Sequence, residues 1–253
     1  MMNLMRPRRA PYLIVAAATS VALGLSGCGS TTTGGKTGGA ASATSATSAA
    51  KVVPTARVLY DQMRKNVATA TSLRIKGVVN NAGKKLTIDV AGDRDGKNTR
   101  ALVNDGTAEL ELLSVGGNIY IKADSAYWTK NASAATAKVA AGKYVKVPAG
   151  SGLMDELKVS TLLDGFFKDL PLAGALQKVE EADVDGVPAY RLADKIGSQD
   201  GQIYVSADGK GRLLRLVAKK KGNAGTLDFT EWDAVPPMSA PPASQQVKIP
   251  GAS

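Results

Sequence analysis

The chain has 253 residues, a formal charge of +10, 44% hydrophobic and 5% aromatic residues, one cysteine and no histidine. Without histidine there is no Ser-His-Asp or Cys-His catalysis, no histidine-ligated zinc and no histidine pH switch, and a single cysteine excludes an internal disulfide or a Cys-x-x-Cys metal site. The acids fall mostly at turns such as Asp93-Arg94-Asp95-Gly96 and Asp183-Val184-Asp185-Gly186, or alternate with apolar residues, so no nucleophile, base and stabiliser can be assembled and no enzyme, metal or cofactor is expected.

The N-terminal region reads as an export signal. Arg6, Arg8 and Arg9 precede a largely apolar run from Tyr12 to Leu25, with small residues after it. That is the n-region, h-region and cleavage site of a secretory signal peptide, here residues 1–27. The 14-residue run is short of the roughly 20 residues a membrane helix needs. Leu25-Ser26-Gly27-Cys28 resembles a bacterial lipobox, which implies cleavage before Cys28 and a diacylglyceryl group on its sulfur. The Gly- and Thr-rich sequence that follows offers no core in which to bury a cysteine. Two acyl chains at ~0.8 kcal/mol per methylene supply on the order of 20 kcal/mol of anchoring, far above a single myristoyl chain. The protein is therefore expected on the extracytoplasmic face of the cell membrane. Arg8-Arg9 with Pro11 fits a twin-arginine signal poorly, and the export route stays open.

Without the three signal arginines the chain has 29 basic and 22 acidic residues, a net charge of +7. For an exported protein this suits anionic phospholipid headgroups better than nucleic acid, which is not expected as a partner, and a merely soluble surface is the commonest use of such charge. Residues 28–51 form the lipidated end and a tether of Gly, Ser, Thr and Ala in which Lys36 is the only charge before Lys51. Such a coil spans about 25 Å and cannot bury enough apolar surface to order itself. Gly34-Gly35-Lys36-Thr37 is no phosphate-binding loop, because Ser30 stands where the first glycine belongs and no strand precedes it.

Residues 52–253 read as one domain. Pro54 suits the first turn of a helix capped near Thr55, along which Leu59, Met63, Val67 and Ala70 make one apolar stripe. Alternating segments follow, with Leu73, Ile75, Gly77 and Val79 on one face, then Leu86, Ile88 and Val90, a strand over 99–103, Leu110 and Leu112, and Ile119 and Ile121. Turns at 80–83, 93–96, 105–106 and 116–117 separate them. This is an antiparallel meander, apolar on one face and wet on the other, and it requires a cover. Ser133–Ala141 reads as helix, 143–148 as a short strand, and Ser151–Leu170 as the main cover, with Leu153, Met154, Leu157, Leu162, Leu163, Phe166 and Phe167. The sheet resumes over 178–182, 187–192, 202–205, 213–218 and 227–232, and a Pro-rich tail from Pro236 reads as a strap along an edge.

Taken together, the lipobox, the tether, the first helix, Asn118-Ile119-Tyr120-Ile121, Tyr127-Trp128, Gly142-Lys143-Tyr144-Val145-Lys146-Val147-Pro148 and Leu227-Asp228-Phe229-Thr230-Glu231-Trp232 resemble actinobacterial lipoproteins of the LppX/LprA/LprF/LprG group, which belong with the LolA/LolB-like carriers. Tyr144 stands where that group has tryptophan. The resemblance implies an α+β fold, a strongly curved antiparallel sheet forming a half-barrel of about eleven strands, covered on its concave face by a few helices. It also implies an acylated lipid between the two layers, and no catalytic residues. On the alternation, the lining is Leu73, Ile75, Leu86, Ile88, Val90, Leu110, Leu112, Ile119 and Ile121 from the sheet, with Met63, Leu162, Leu163, Phe166 and Phe167 from the cover. A one-residue slip would move the strand set to the other face.

The expected function is a non-enzymatic lipid carrier or chaperone of the cell envelope, a monomer anchored through Cys28, with an acylated lipid as ligand and a membrane transporter as candidate partner. The alternative is an envelope protein-interaction or stress-sensing module on the same scaffold with a filled core. A third reading, a carboxylate-based hydrolase, requires two acids converging at about 5 to 10 Å.

Overall fold

In the computed structural model, which describes residues 52–81, 83–147, 151–167, 178–192, 195–196, 199–219 and 224–249, the alternating segments pair into one curved, unclosed sheet of 13 strands. The signal, Cys28 and the tether lie outside the described residues. In chain order the strands are β1 (Ser72–Asn81), β2 (Lys84–Asp93), β3 (Thr99–Asn104), β4 (Glu109–Val115), β5 (Asn118–Ala123), β6 (Tyr144–Val147), β7 (Val179–Val184), β8 (Val187–Leu192), β9 (Lys195–Ile196), β10 (Gln199–Ser206), β11 (Leu213–Ala218), β12 (Gly225–Thr230) and β13 (Gln246–Val247). Their order across the sheet is β13-β6-β5-β4-β3-β2-β1-β12-β11-β10-β8-β7, with β9 on β10. The half-barrel reading holds. Two of the 13 strands, β9 and β13, are two residues long, and the other eleven are four or more.

Two meanders make this sheet, and β1 joins them. On one side it pairs with β2 through a tight hairpin, and on the other with β12, Ile75 opposite both Val90 and Phe229. Gly77 sits mid-strand at this junction. An added Cβ would lie 2.0 Å from the Thr226 carbonyl oxygen, so only glycine permits the close approach of β12.

Helix α1 (Ala56–Thr69) begins at Thr55, whose hydroxyl accepts from Val58 N at 3.4 Å. Pro54 precedes this cap rather than lying in the first turn. The stripe Leu59, Met63 and Val67 is buried, joined by Ala56 and Tyr60. At the other end Arg94 Nη1 donates to Val67 O at 2.7 Å, and Arg94 O accepts from Ser160 N at 3.2 Å, which ties the last turn of α1 to the start of α4 (Val159–Phe167). Only 159–167 of the expected 151–170 cover is α-helix. It is preceded by a 3-10 turn at Asp155–Leu157, and residues beyond 167 lie outside the described set.

Between β5 and β6 the chain makes two seven-residue helices, α2 (Ser125–Asn131) and α3 (Ala134–Ala140). The second matches the expected Ala-rich segment. The first is unforeseen. Asp124 caps it, accepting from Tyr127 N at 2.8 Å, and Trp128 turns inward. The tail behaves as a strap. Met238 N donates to Asn98 Oδ1 at 2.7 Å, and β13 then pairs in parallel with β6, covering that edge.

Gly77→Ala is expected to lower unfolding stability by about 1–3 kcal/mol through overpacking at the junction. Urea denaturation checks this, and Gly106→Ala, at a turn with open space around it, should leave the β1/β12 junction unaffected and cost only its local strain.

Candidate ligand-binding face

The register assigns every strand residue to a face. Leu73, Ile75 and Gly77 of β1 stand opposite Gly92, Val90 and Ile88 of β2. Val90 stands opposite Ala101, Ala101 opposite Leu112, Leu112 opposite Ile121, and Ile121 opposite Val145. One apolar row thus runs through five hydrogen-bonded neighbours to the β6 edge. On the other side it continues through Phe229 and Leu227 to Leu216, Ile203 and Leu192.

All fourteen sequence-predicted residues fall in or against this one core. Met63, Leu73, Ile75, Ile88, Val90, Leu112, Ile119, Ile121, Leu163 and Phe167 are buried within it, whereas Leu86, Leu110, Leu162 and Phe166 are half-buried and pack on its margin. One ring pair joins the cover to the sheet, and one cation–ring contact joins its two helices. Phe166 meets Phe229 edge-on with centroids 6.3 Å apart, and the Arg64 guanidinium of α1 lies 5.7 Å from the Phe167 ring centre. The inner face also includes Ala101, Tyr190, Leu192, Ile203, Leu227 and Phe229, which the sequence-derived set left out. The alternation Leu227-x-Phe229 and Ile203-x-Val205 carried the signal for the second meander.

Two buried side-chain polar atoms have no hydrogen-bond partner among the described residues, Thr99 Oγ1 and Trp128 Nε1. Thr99 is wholly buried and stands opposite Gly92 and Ser114 on the inner face. An unmade buried hydrogen bond costs about 1–3 kcal/mol.

The outer face has the opposite character. Arg74 grips Asp89 with two bonds of 2.7 Å and reaches Glu231 at 3.1 Å, Arg100 bonds Glu111 at 2.6 Å, Arg215 pairs with Asp228, and Arg191 with Glu180. Tyr144 donates to Glu111 Oε1 at 3.0 Å, and burial together with that carboxylate pushes its phenol up to about 12. The bonds from Arg74 hold the Asp89 carboxyl below the usual carboxylate range.

A cleft of about 510 Å³ opens where this face meets the β1–β2 and β3–β4 turns, lined in part by Lys76, Lys85, Asp89, Asp105 and Glu109. Asp89 is held as an anion by Arg74, and Asp105, accepting from the Thr107 hydroxyl, Thr107 N and Ala108 N, is lowered to about 2. Among the described residues no three acidic or cysteine side chains come together as a metal site would require. No described helix is long and apolar enough to cross a membrane.

Curved sheet, helical cover and apolar inner face together define the class: an α+β half-barrel whose apolar face is covered by helices. No family model and no curated protein matches the sequence. Among solved structures the chain is similar to LprF from Mycobacterium bovis, with a TM-score of 0.45 and 17% identity, covering 74% of this chain and 96% of that one. It is also similar to the Mycobacterium tuberculosis lipoprotein LppX, with a TM-score of 0.41 and 11% identity over 70% and 94% of the two chains. MucB in complex with MucA(peri) follows at 0.36 and 19%, over 76% and 60%.

The Arg74–Asp89 pair sets an expected pH dependence. A carboxyl depressed in the folded state stabilises fully above its unfolded value, near 4, and that contribution disappears as pH falls through the lower folded value. Wild-type protein should lose urea resistance below about pH 4. Arg74→Met should be weaker at neutral pH and should lose less on acidification, so that the two denaturation midpoints converge in acid.

Proposed function

We propose that the protein is a non-enzymatic lipoprotein of the cell envelope, anchored through a diacylglyceryl group on Cys28, that holds an acylated lipid between the concave face of its sheet and the helices α1 and α4. The observation that carries this reading is the unbroken inner apolar row, from Val145 to Leu192, under a cover whose marginal residues Leu162 and Phe166 are only half-buried. Acyl chains entering there leave water at about 25 cal/mol per Å² of apolar area. The ester or hydroxyl groups of such a lipid would supply partners for Trp128 Nε1 and Thr99 Oγ1.

LppX is described as a lipoprotein. The same description is proposed for this chain on the strength of Leu25-Ser26-Gly27-Cys28 and the signal before it. Capture is passive. Separation of the helical cover opens the mouth, the tails enter, and the headgroup stays at the polar rim.

Native mass spectrometry with lipid extraction tests the reading on Cys28→Ser protein purified from a membrane-containing host. The expected result is a mass increment that extracts as one lipid class. A bare mass with no uptake of a fluorescent acyl probe would mean a filled core and would favour the protein-interaction role. Thr99→Val, which exchanges the unpartnered hydroxyl for a methyl group of nearly the same size, is expected to retain lipid about fivefold less well, the equivalent of about 1 kcal/mol.

The anchor is tested separately by labelling with radioactive palmitate. Label should enter the wild-type protein and be absent from Cys28→Ala.

A further inference from the structure

The topology sorts the exposed charge by end. One end of the sheet holds the β1–β2 turn, the point where the α2–α3 excursion leaves and rejoins the strands, and the end of β11. The strand register places these together, with Asn81 opposite Lys84, Leu110 opposite Ala123, Lys122 opposite Tyr144, and Ala218 opposite Gly225. It carries Lys84, Lys85, Lys130, Lys138, Lys143 and Lys219, all exposed. The other end holds the turns after β2, β7, β10 and β12 and the 3-10 turn before α4. It carries Asp95, Asp155, Glu156, Asp185, Asp208 and Asp233, also exposed.

How each cation is used sharpens the contrast. The arginines of the outer face are matched to carboxylates across the strands, and at the acidic end Lys97 is paired with Asp95 and Lys158 with Asp155. None of the six lysines is ion-paired with a described residue. Acids also lie at their end, among them Asp105, Glu109, Asp124 and Glu180: Asp105 accepts backbone N–H groups within its turn, Asp124 caps α2, and Glu180 pairs with Lys178 and Arg191. Between Lys138 and Lys143, on α3, Val139 is 47% exposed, one of the few large apolar side chains left in water.

We propose that this lysine-rich end is a membrane-docking surface, which binds the anionic phospholipid headgroups of a bilayer and stands the half-barrel end-on against it, with Val139 reaching the headgroup boundary. Each lysine brought within a Debye length of an anionic surface adds attraction, and the acidic end is repelled by the same field, so the two ends act together to orient the molecule. The surface is separate from lipid capture: it requires neither an occupied interior nor an acylated cysteine.

The test uses the mature chain from residue 28 with Cys28→Ser, so that no acyl anchor contributes, in co-sedimentation with phosphatidylglycerol-containing vesicles and with pure phosphatidylcholine vesicles. Binding is expected only to the anionic vesicles and should weaken as salt is raised. The quadruple variant Lys84→Ala, Lys85→Ala, Lys138→Ala and Lys143→Ala should partition at least about tenfold less. The control Lys97→Ala with Lys210→Ala, at the far end, should bind like the parent. Circular dichroism and thermal melting confirm that each variant is folded. Equal loss in both variants, an unchanged quadruple variant, or no binding to anionic vesicles by the parent would overturn the proposal. Acyl-probe uptake, measured in parallel, reports on the interior independently.

Discussion

The pairing of β1 with β12 is the interaction on which the rest of the structure depends. Each meander alone would be a half-buried sheet with bare edges and one apolar face, and neither has helices enough to cover it. Joined through β1, the two faces become a single row from Val145 to Leu192, and α1 and α4 can then cover both meanders at once. The glycine at position 77 belongs to the same constraint, since it lets β12 approach where a methyl group would meet the Thr226 carbonyl. Arg94 secures the arrangement from the cover side by bonding the end of one helix and the start of the other.

Much of this could be read from residues, and the exceptions have physical reasons. Period-two alternation shows which side of a strand is apolar, so Leu73, Ile75, Ile88, Val90, Leu112 and Ile121 could be placed on one face before any pairing was known. Alternation says nothing about which distant strand lies beside which, and the β1–β12 contact is invisible in it. Helix α2 escaped because Ser-Ala-Tyr-Trp-Thr-Lys-Asn has no helical stripe and is held by its Asp124 cap and by burial of Trp128, both of which depend on context. The Arg–carboxylate pairs were hidden for the same reason. Arg74 and Asp89 look like ordinary solvated positions until the hairpin sets them diagonally across from each other.

The two faces of the sheet treat charge and apolar surface in complementary ways. Outward, arginines are matched by carboxylates across neighbouring strands, which fixes side chains in place. Inward, the described strand residues are mostly apolar, with a few buried polar ones such as Thr99. At the turns, topology rather than local sequence decides which lysines become neighbours.

The junction strands also have a kinetic side. Arg74 and Thr230 are partners although they lie 156 positions apart in the chain. Closing so long a loop is slow, and contacts of this span place a protein among the slower folders. During synthesis the first meander can form its hairpins locally, but its central edge stays unpaired until almost the last strand has emerged. Until then the partly folded chain is open along one edge, which exposes it to edge-to-edge association if that pairing is delayed.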